Sequence, residues 1–279
     1  MATSSTTQTA SSQTALLALS SDSVRGDRLP KMVRTVRQIE FIHQALCSIV
    51  GKLPGGGNCS VLTGKQLDGR PLQDAHQHAH FFPLDLDDDR RIDHVLIYAR
   101  AGLDATAQRA ITRLRRTWTK GEEAAIFVTC AGFGDLDLFR RQLTDANGRP
   151  LTIIPREPSR HWISYTPYVP ARFLKPKNGR YTLHDDVRRE LAVRGLPEAV
   201  EVRSFLELVP DGKRELVKRK FFEYERRRRP GKPQPPQPQV FGVQIELEYP
   251  IAGPLALGYA SHFGLGVFEA VEGTVRNGK

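Results

Sequence analysis

The sequence predicts an α+β protein built as two tandem ferredoxin-like (βαββαβ) lobes with antiparallel sheets. Three observations carry this. Apolar positions in the first half change period in the order strand, helix, strand, strand, helix, strand, which is the split βαβ arrangement. The second half repeats a weaker version of that order. No cysteine framework or long apolar run points to another class.

Thr14 to Ser20 is a short apolar run and reads as the first strand. From Lys31 to Gly51, Val33, Val36, Ile39, Ile42, Leu46 and Ile49 recur at spacings of three and four, which predicts a helix ended by Gly55, Gly56 and Gly57. A turn-rich loop runs to about Gln77. Ala79 to Leu84 and Ile92 to Ala99 then read as two strands around a polar turn. Asp104 is the expected N-cap of a second helix reaching Lys120, apolar at Ala107, Ile111, Leu114 and Trp118 and basic at Arg109, Arg113, Arg116 and Lys120. Ala124 to Cys130 closes the lobe as a strand.

In the second half, Trp162 to Val169 reads as a strand and Leu183 to Arg194 as an Arg-rich helix closed by Gly195 and Pro197. Ala199 to Leu208 and Val217 to Tyr224 read as strands, the latter with Lys218, Lys220, Phe222 and Tyr224 on one parity. Arg226 to Arg229 and a proline-rich stretch follow. Proline there excludes a central strand, so 225–239 is expected to be a flexible basic excursion. Val240 to Tyr249 and Gly266 to Val271 read as strands flanking a short helix or turn from Gly253 to Phe263. The expected organisation is a loose tail over 1–13, a first lobe over 14–158 and a second over 159–279.

The chain has 279 residues and can bury a real core; its 41 Lys and Arg exceed its 31 Asp and Glu, for a net charge of +10. Such an excess favours a polyanionic partner through steering and counterion release. Three cysteines, Cys47, Cys59 and Cys130, show no paired spacing, which fits a reducing compartment and gives no zinc signature. The Ser/Thr/Ala/Gln-rich start lacks a basic region and an apolar core, so it is not a secretory signal, and no apolar run is long enough for a membrane span. The expected location is the cytoplasm, with no membrane partner.

Two segments carry candidate chemistry. The first is His76-Gln77-His78-Ala79-His80, which puts three imidazoles on one face if extended. Imidazole suits proton transfer near neutral pH, and it also ligates metals. Asp85, Asp87, Asp89, Asp93 and His94 follow. The run begins like a calcium loop, but its sixth position is Arg90 and its twelfth is Leu96, where Gly and Glu belong. The second segment runs from Ala256 to Phe268, where Gly258, Gly264 and Gly266 surround Tyr259, Ser261 and His262. Its bare backbone N–H groups could receive a phosphate, or the segment could be a tight turn packed on a sheet. A strand follows the glycines and no Lys-Ser/Thr does, so it is neither a dinucleotide fingerprint nor a Walker loop. Lys218, Lys220, Arg226 and Arg227, interleaved with aromatics, have the composition of a surface that grips RNA backbone and stacks bases.

Taken together, His76, His78, Ala79, Phe81 and Pro83, then Asp85, Asp87, Asp89, Ile92, Asp93 and His94, then Trp162, Ser164, Thr166 and Pro167, then Gly253 to Phe268, resemble one protein group. It is the CRISPR-associated repeat-processing endoribonuclease (RAMP superfamily) of type I-G, formerly I-U, systems. The resemblance spans roughly Thr63 to Phe268. It implies two ferredoxin-like lobes and a metal-independent, cofactor-free cut in CRISPR repeat RNA that leaves a 2′,3′-cyclic phosphate and a 5′-hydroxyl. It also implies retention of the guide RNA and association with other subunits of a type I effector complex. Candidate catalytic residues are then His76, His78 and His262, with Tyr259 an alternative acid. Candidate RNA contacts are Gly258, Ser261, Gly264, Gly266, Arg113, Arg116, Lys218, Lys220, Arg226 and Arg227. Two departures stand out: Arg90 replaces a glycine usual in that family, and the capping half to which the family's nuclease is commonly fused is missing, as in a split gene, a fragment or an excised domain. Two other readings stay open: an inactive repeat-RNA-binding subunit, and a metal-dependent hydrolase using His76, His78, His80 and the Asp cluster.

Overall fold

The computed structural model describes residues 12–22, 28–54, 59–66, 68–70, 72, 78–117, 125–175, 179–205, 207–208 and 219–271. His76 and Lys218 therefore lie outside the described residues, as do most of the tail, the three glycines at 55–57 and Trp118 to Lys120. Among the described residues, no helix is long and apolar enough to cross a membrane.

The first lobe contains β1 (Thr14–Ser20), α1 (Thr35–Lys52), α2 (Ser60–Thr63), β2 (His80–Leu84), β3 (His94–Tyr98), α3 (Ala105–Arg113), β4 (Arg116–Thr117) and β5 (Ile126–Gly134). Its antiparallel sheet has the order β2-β3-β1-β5-β4, a ferredoxin-like sheet with one short strand added at an edge. Both faces of this sheet are covered. Ala15, Leu17, Phe81, Val95 and Ile97 pack with Val36, Ile39, Ile42 and Leu46 of α1 and Ala107 and Ile111 of α3. The alternate positions Leu16, Phe82, Leu84 and Leu96 pack with Leu136 and Phe139 of α4 (Leu136–Gln142), with Ile153 and Ile154, and with Ala256 and Val267 from the second half. The period-2 alternation of each strand thus feeds two cores, each large apolar side chain contributing about 1.5–3 kcal/mol. It also removes this sheet as an open platform for stacking bases.

The second lobe contains β6 (Ser159–Ser164), α5 (Leu183–Val193), β7 (Ala199–Phe205), β8 (Glu207–Leu208), β9 (Arg219–Lys220), β10 (Gly242–Ile251), β11 (Leu255–Ala256) and β12 (Val267–Ala270). Its antiparallel sheet runs β11-β12-β6-β10-β7, while β8 and β9 form a separate ribbon. Trp162, Tyr168, Val187, Leu191, Val243, Ile245, Leu257 and Phe268 form its core under α5. The strand order is ferredoxin-like, but no second helix precedes the last strand. A loop with one 3-10 turn, Ser261–Phe263, takes that place.

Three element predictions change. The helix expected to reach Lys120 ends at Arg113, because Leu114 is extended and Arg116 and Thr117 pair with Phe127 and Ile126. The strand expected over Val217 to Tyr224 turns into a 3-10 turn at Phe221–Glu223, which buries Phe221 and breaks the one-face parity of Lys220, Phe222 and Tyr224. The 225–239 segment, expected to be a loose excursion, is tied down: the Glu225 N–H donates to the Val33 carbonyl, Arg228 pairs with Glu40, and Gln237 accepts from the Leu174 N–H.

Candidate functional site

The glycine motif folds as it does because its backbone is hemmed in. Gly258, Gly264 and Gly266 have φ of 87°, 82° and 59°, a region that disfavours side chains. A Cβ on Gly264 would lie 2.6 Å from Thr35 Oγ1 and 2.8 Å from Pro83 Cδ; one on Gly266 would overlap the Leu257 carbonyl. The peptide N–H groups are also engaged internally. Gly258 N–H donates to Glu190 Oε2 at 2.9 Å, Tyr259 N–H to Val169 O at 2.8 Å and Gly266 N–H to Pro167 O at 2.8 Å. The phosphate-cradle expectation therefore fails at Gly258 and Gly266: a carboxylate or a carbonyl already occupies the place an anion would take.

The Trp-x-Ser-x-Thr-Pro motif explains how the loop is held. Buried Thr166 donates from Oγ1 to Gly264 O at 2.8 Å and accepts from Val267 N–H at 3.0 Å. Ser164 Oγ accepts from Val243 N–H at 2.8 Å, and Pro167 supplies the carbonyl for Gly266. Ser261 is buried, and its Oγ accepts from Arg194 Nη2 at 3.2 Å. Arg194 in turn pairs with buried Glu190 at 2.8 Å.

This scaffold carries His262 into the first lobe. The His262 ring lies between those of His78 and His80, with centroid separations of 3.6 Å and 3.7 Å, while His78 and His80 are 6.4 Å apart. His262 Nδ1 is 3.3 Å from the Ala79 carbonyl oxygen, which assigns its proton to Nδ1 and its lone pair to Nε2. Burial, and then the charges of His80 and His78, hold its pKa well below the ordinary histidine range. The three-histidine arrangement is thus made by residues from both halves: His78 and His80 at the entry to β2, and His262 from the glycine loop.

His80 also lines a cleft of about 270 Å³ between the lobes, together with Phe82, Tyr98, Arg100, Arg194 and Pro254. Tyr98, Arg100 and Arg194 were not singled out from the sequence; only their convergence in space marks them. His43 was missed as well. It packs edge-on to Phe263 at 5.4 Å, and its Nε2 is 2.8 Å from Leu62 O, with burial lowering its pKa.

Other expected contacts are dispersed. Arg113 ends α3, and Arg116 sits in β4, at the opposite edge of the sheet from β2. Four strand spacings separate those edges, about 19 Å. Lys220 pairs with Glu223 at 3.5 Å; in the 225–239 segment Arg226 is half-buried and Arg227 exposed. The Tyr259 hydroxyl donates to Pro233 O at 2.9 Å, and burial pushes its pKa up to about 12.

Among the described residues, the geometry does not bring the histidines and aspartates of the metal reading together. Asp85, Asp87 and Asp89 come together at the far end of β2 from His80, about five strand residues or 16 Å away. Their carboxylates accept from the turn's own N–H groups, Asp85 from Asp89 and Arg90, and Asp89 from Arg91. The histidine rings are face to face, an arrangement that does not converge their nitrogens on one ion at ligand distances of about 2 Å.

The class defined by the two sheets is a double ferredoxin-like α+β protein. The chain is similar to the product of a Cas6-related gene from Pyrococcus furiosus, at 11% identity and a TM-score of 0.42 over 94% of this chain and 100% of that one. It is similar to a RAMP protein binding different RNA substrates, at 11% identity and a TM-score of 0.42 over 93% and 99%. It is also similar to Thermus thermophilus Cse3 bound to an RNA representing a pre-cleavage complex, at 14% identity and a TM-score of 0.32 over 93% and 100%. No family model and no curated protein matches the chain.

Proposed function

We propose that this chain is a metal-independent endoribonuclease that cuts CRISPR repeat RNA on the 3′ side of its hairpin, in the manner of the type I-G enzymes its motifs resemble. The observation that carries this is the His78–His262–His80 arrangement beside a cleft lined by His80, Tyr98, Arg100 and Arg194. In the reaction, a base takes the proton of the RNA 2′-hydroxyl, the 2′-oxygen bonds to phosphorus, and the 5′-oxygen leaves with a proton from an acid. His80, at the cleft, and His78 are placed to deal with those protons, each step being worth about 10²–10⁴-fold. Arg100 would balance charge on the phosphorane, worth roughly 10²–10³-fold for a positioned donor. His262 orients the two outer rings.

The test is incubation with the host's repeat RNA in EDTA, read on a denaturing gel, with product ends mapped by mass spectrometry. Cleavage leaving a cyclic phosphate is expected. Cleavage seen only with an added divalent metal overturns the proposal. A second reading, an RNA-binding subunit without activity, is favoured by one observation: His262 is half-buried and held between two rings, as a packing residue would be. Tight binding without a cut identifies it.

A further inference from the structure

A second groove, of about 660 Å³, lies along the start of α1, lined among others by Arg28, Lys31, Arg34, Arg37, Phe41 and Arg91. It lies towards the far end of β2 from the histidines: Arg91 follows the acidic turn, and its Nη1 donates to Leu29 O at 2.6 Å. Among the described residues, five cations line this groove and no carboxylate does. Among the described residues, the carboxylates paired with these cations stand outside the lining: Asp22 with Arg28 at 3.2 Å, Glu225 with Arg34 at 3.5 Å, and Asp89 with Arg91 at 3.7 Å. The Asp22–Arg28 and Glu225–Arg34 pairs are solvated, and an incoming polyanion displaces such partners at little cost. The Arg37 guanidinium lies over the half-buried Phe41 ring at 5.6 Å, so one wall offers both a cation and a flat aromatic face.

The first turn of α1 carries no acidic residue, and Arg34 at its N-cap makes no side-chain capping bond. Cations at a helix N-terminus oppose the helix dipole. The basic lining is therefore maintained against the helix's own preference, as local rules are broken at functional sites. The Glu225 N–H bond to Val33 O ties the start of the segment that carries Arg226 and exposed Arg227 to a residue of the groove lining.

We propose that this groove binds the backbone of single-stranded RNA, with an unpaired base stacked against Phe41 and Arg37, as a contact surface separate from the histidine cluster. A single strand offers phosphates and open base faces together; a duplex hides the latter. The proposal rests on the reading of the chain as an RNA-binding protein but not on its catalysis.

The experiment measures binding of a short fluorescein-labelled oligouridylate to the full chain by anisotropy across a salt series, with repeat-RNA binding and cleavage followed in parallel. Arg34→Gln with Arg37→Gln should weaken oligouridylate at least tenfold and reduce the salt slope by about 1.4, near 0.7 per lost phosphate contact. Phe41→Ala should weaken it roughly five- to 150-fold with the slope unchanged. Unaltered circular dichroism and melting temperature verify folding, and Arg34→Lys with Arg37→Lys should restore most of the slope. Unchanged affinity and slope in the Gln variant, while wild type binds and cuts repeat RNA, overturns the groove alone. Wild-type failure to bind either RNA overturns the functional reading as well. Lost affinity for polyglutamate with RNA affinity intact assigns the groove to an acidic protein and likewise overturns the proposal.

Discussion

Arg228 stacks on Phe263 with its guanidinium carbon 3.9 Å from the ring centroid, while its Nε donates to Glu40 Oε1 at 2.7 Å. One side chain thus joins the 225–239 segment, α1 and the glycine loop. Both charges are largely buried, at 15% and 5% exposure. Removing one partner strands the other, which costs about 3–5 kcal/mol, whereas replacing both with apolar groups is often neutral. Glu40→Ala should therefore destabilise the protein more than Glu40→Leu combined with Arg228→Met. Urea denaturation of the two variants checks this, and equal losses would refute it.

Gly179 and Gly266 share a φ of 59°, but a Cβ on Gly179 meets open space while one on Gly266 overlaps the Leu257 carbonyl. Gly179→Ala should cost only backbone strain, about 1 kcal/mol. Gly266→Ala should lower the melting temperature by several times as much. If the two variants melt together, close approach is not why glycine stands at 266.

His262 is kept neutral in the folded chain and titrates near 6.5 when unfolded. Below that value the unfolded state binds the extra proton, so stability rises with pH through the window beneath 6.5 and then levels off. His43, also lowered by burial, acts with the same sign. Asp85, raised by burial to about 7, acts oppositely between the unfolded carboxyl range and that value. Melting temperatures of wild type and His262→Phe, taken from about pH 5 to 8, isolate the histidine. Wild type should lose more on acidification; parallel curves would contradict the assignment.

His80→Ala should slow repeat cleavage by about 10²–10⁴-fold and leave RNA affinity within a few-fold, since a proton-transfer group acts mainly in the transition state. Single-turnover kinetics alongside equilibrium binding separate the two effects. A variant that cuts at the wild-type rate removes His80 from the chemistry.

What the sequence made legible was local. The strands at 14–20 and 80–84 and the capping Asp104 depend on neighbours a few residues away, as does the left-handed backbone at Gly258, Gly264 and Gly266. What it hid depends on distant partners. The row His76 to His80 announces histidines, but nothing near it shows that His262 inserts between two of them. Four consecutive arginines give no local sign that the Arg228 side chain pairs with Glu40 and stacks on Phe263 while Arg229 gives the same carboxylate a backbone N–H; a carboxylate on α1 selects them. The second helix stops short because β5 captures Arg116 and Thr117, a choice its own periodicity opposes. The glycine loop's N–H groups look free in sequence because Glu190, Val169 and Pro167, which accept from them, lie far back along the chain.

Phe263 and Leu265 belong to the core beneath α1, although they are synthesised long after the last strand of the first lobe. The loop ahead of β12 thus completes the interior of a lobe whose strands end more than a hundred residues earlier, and β12 completes the sheet of the other. A chain cut before Phe263 lacks part of both interiors at once.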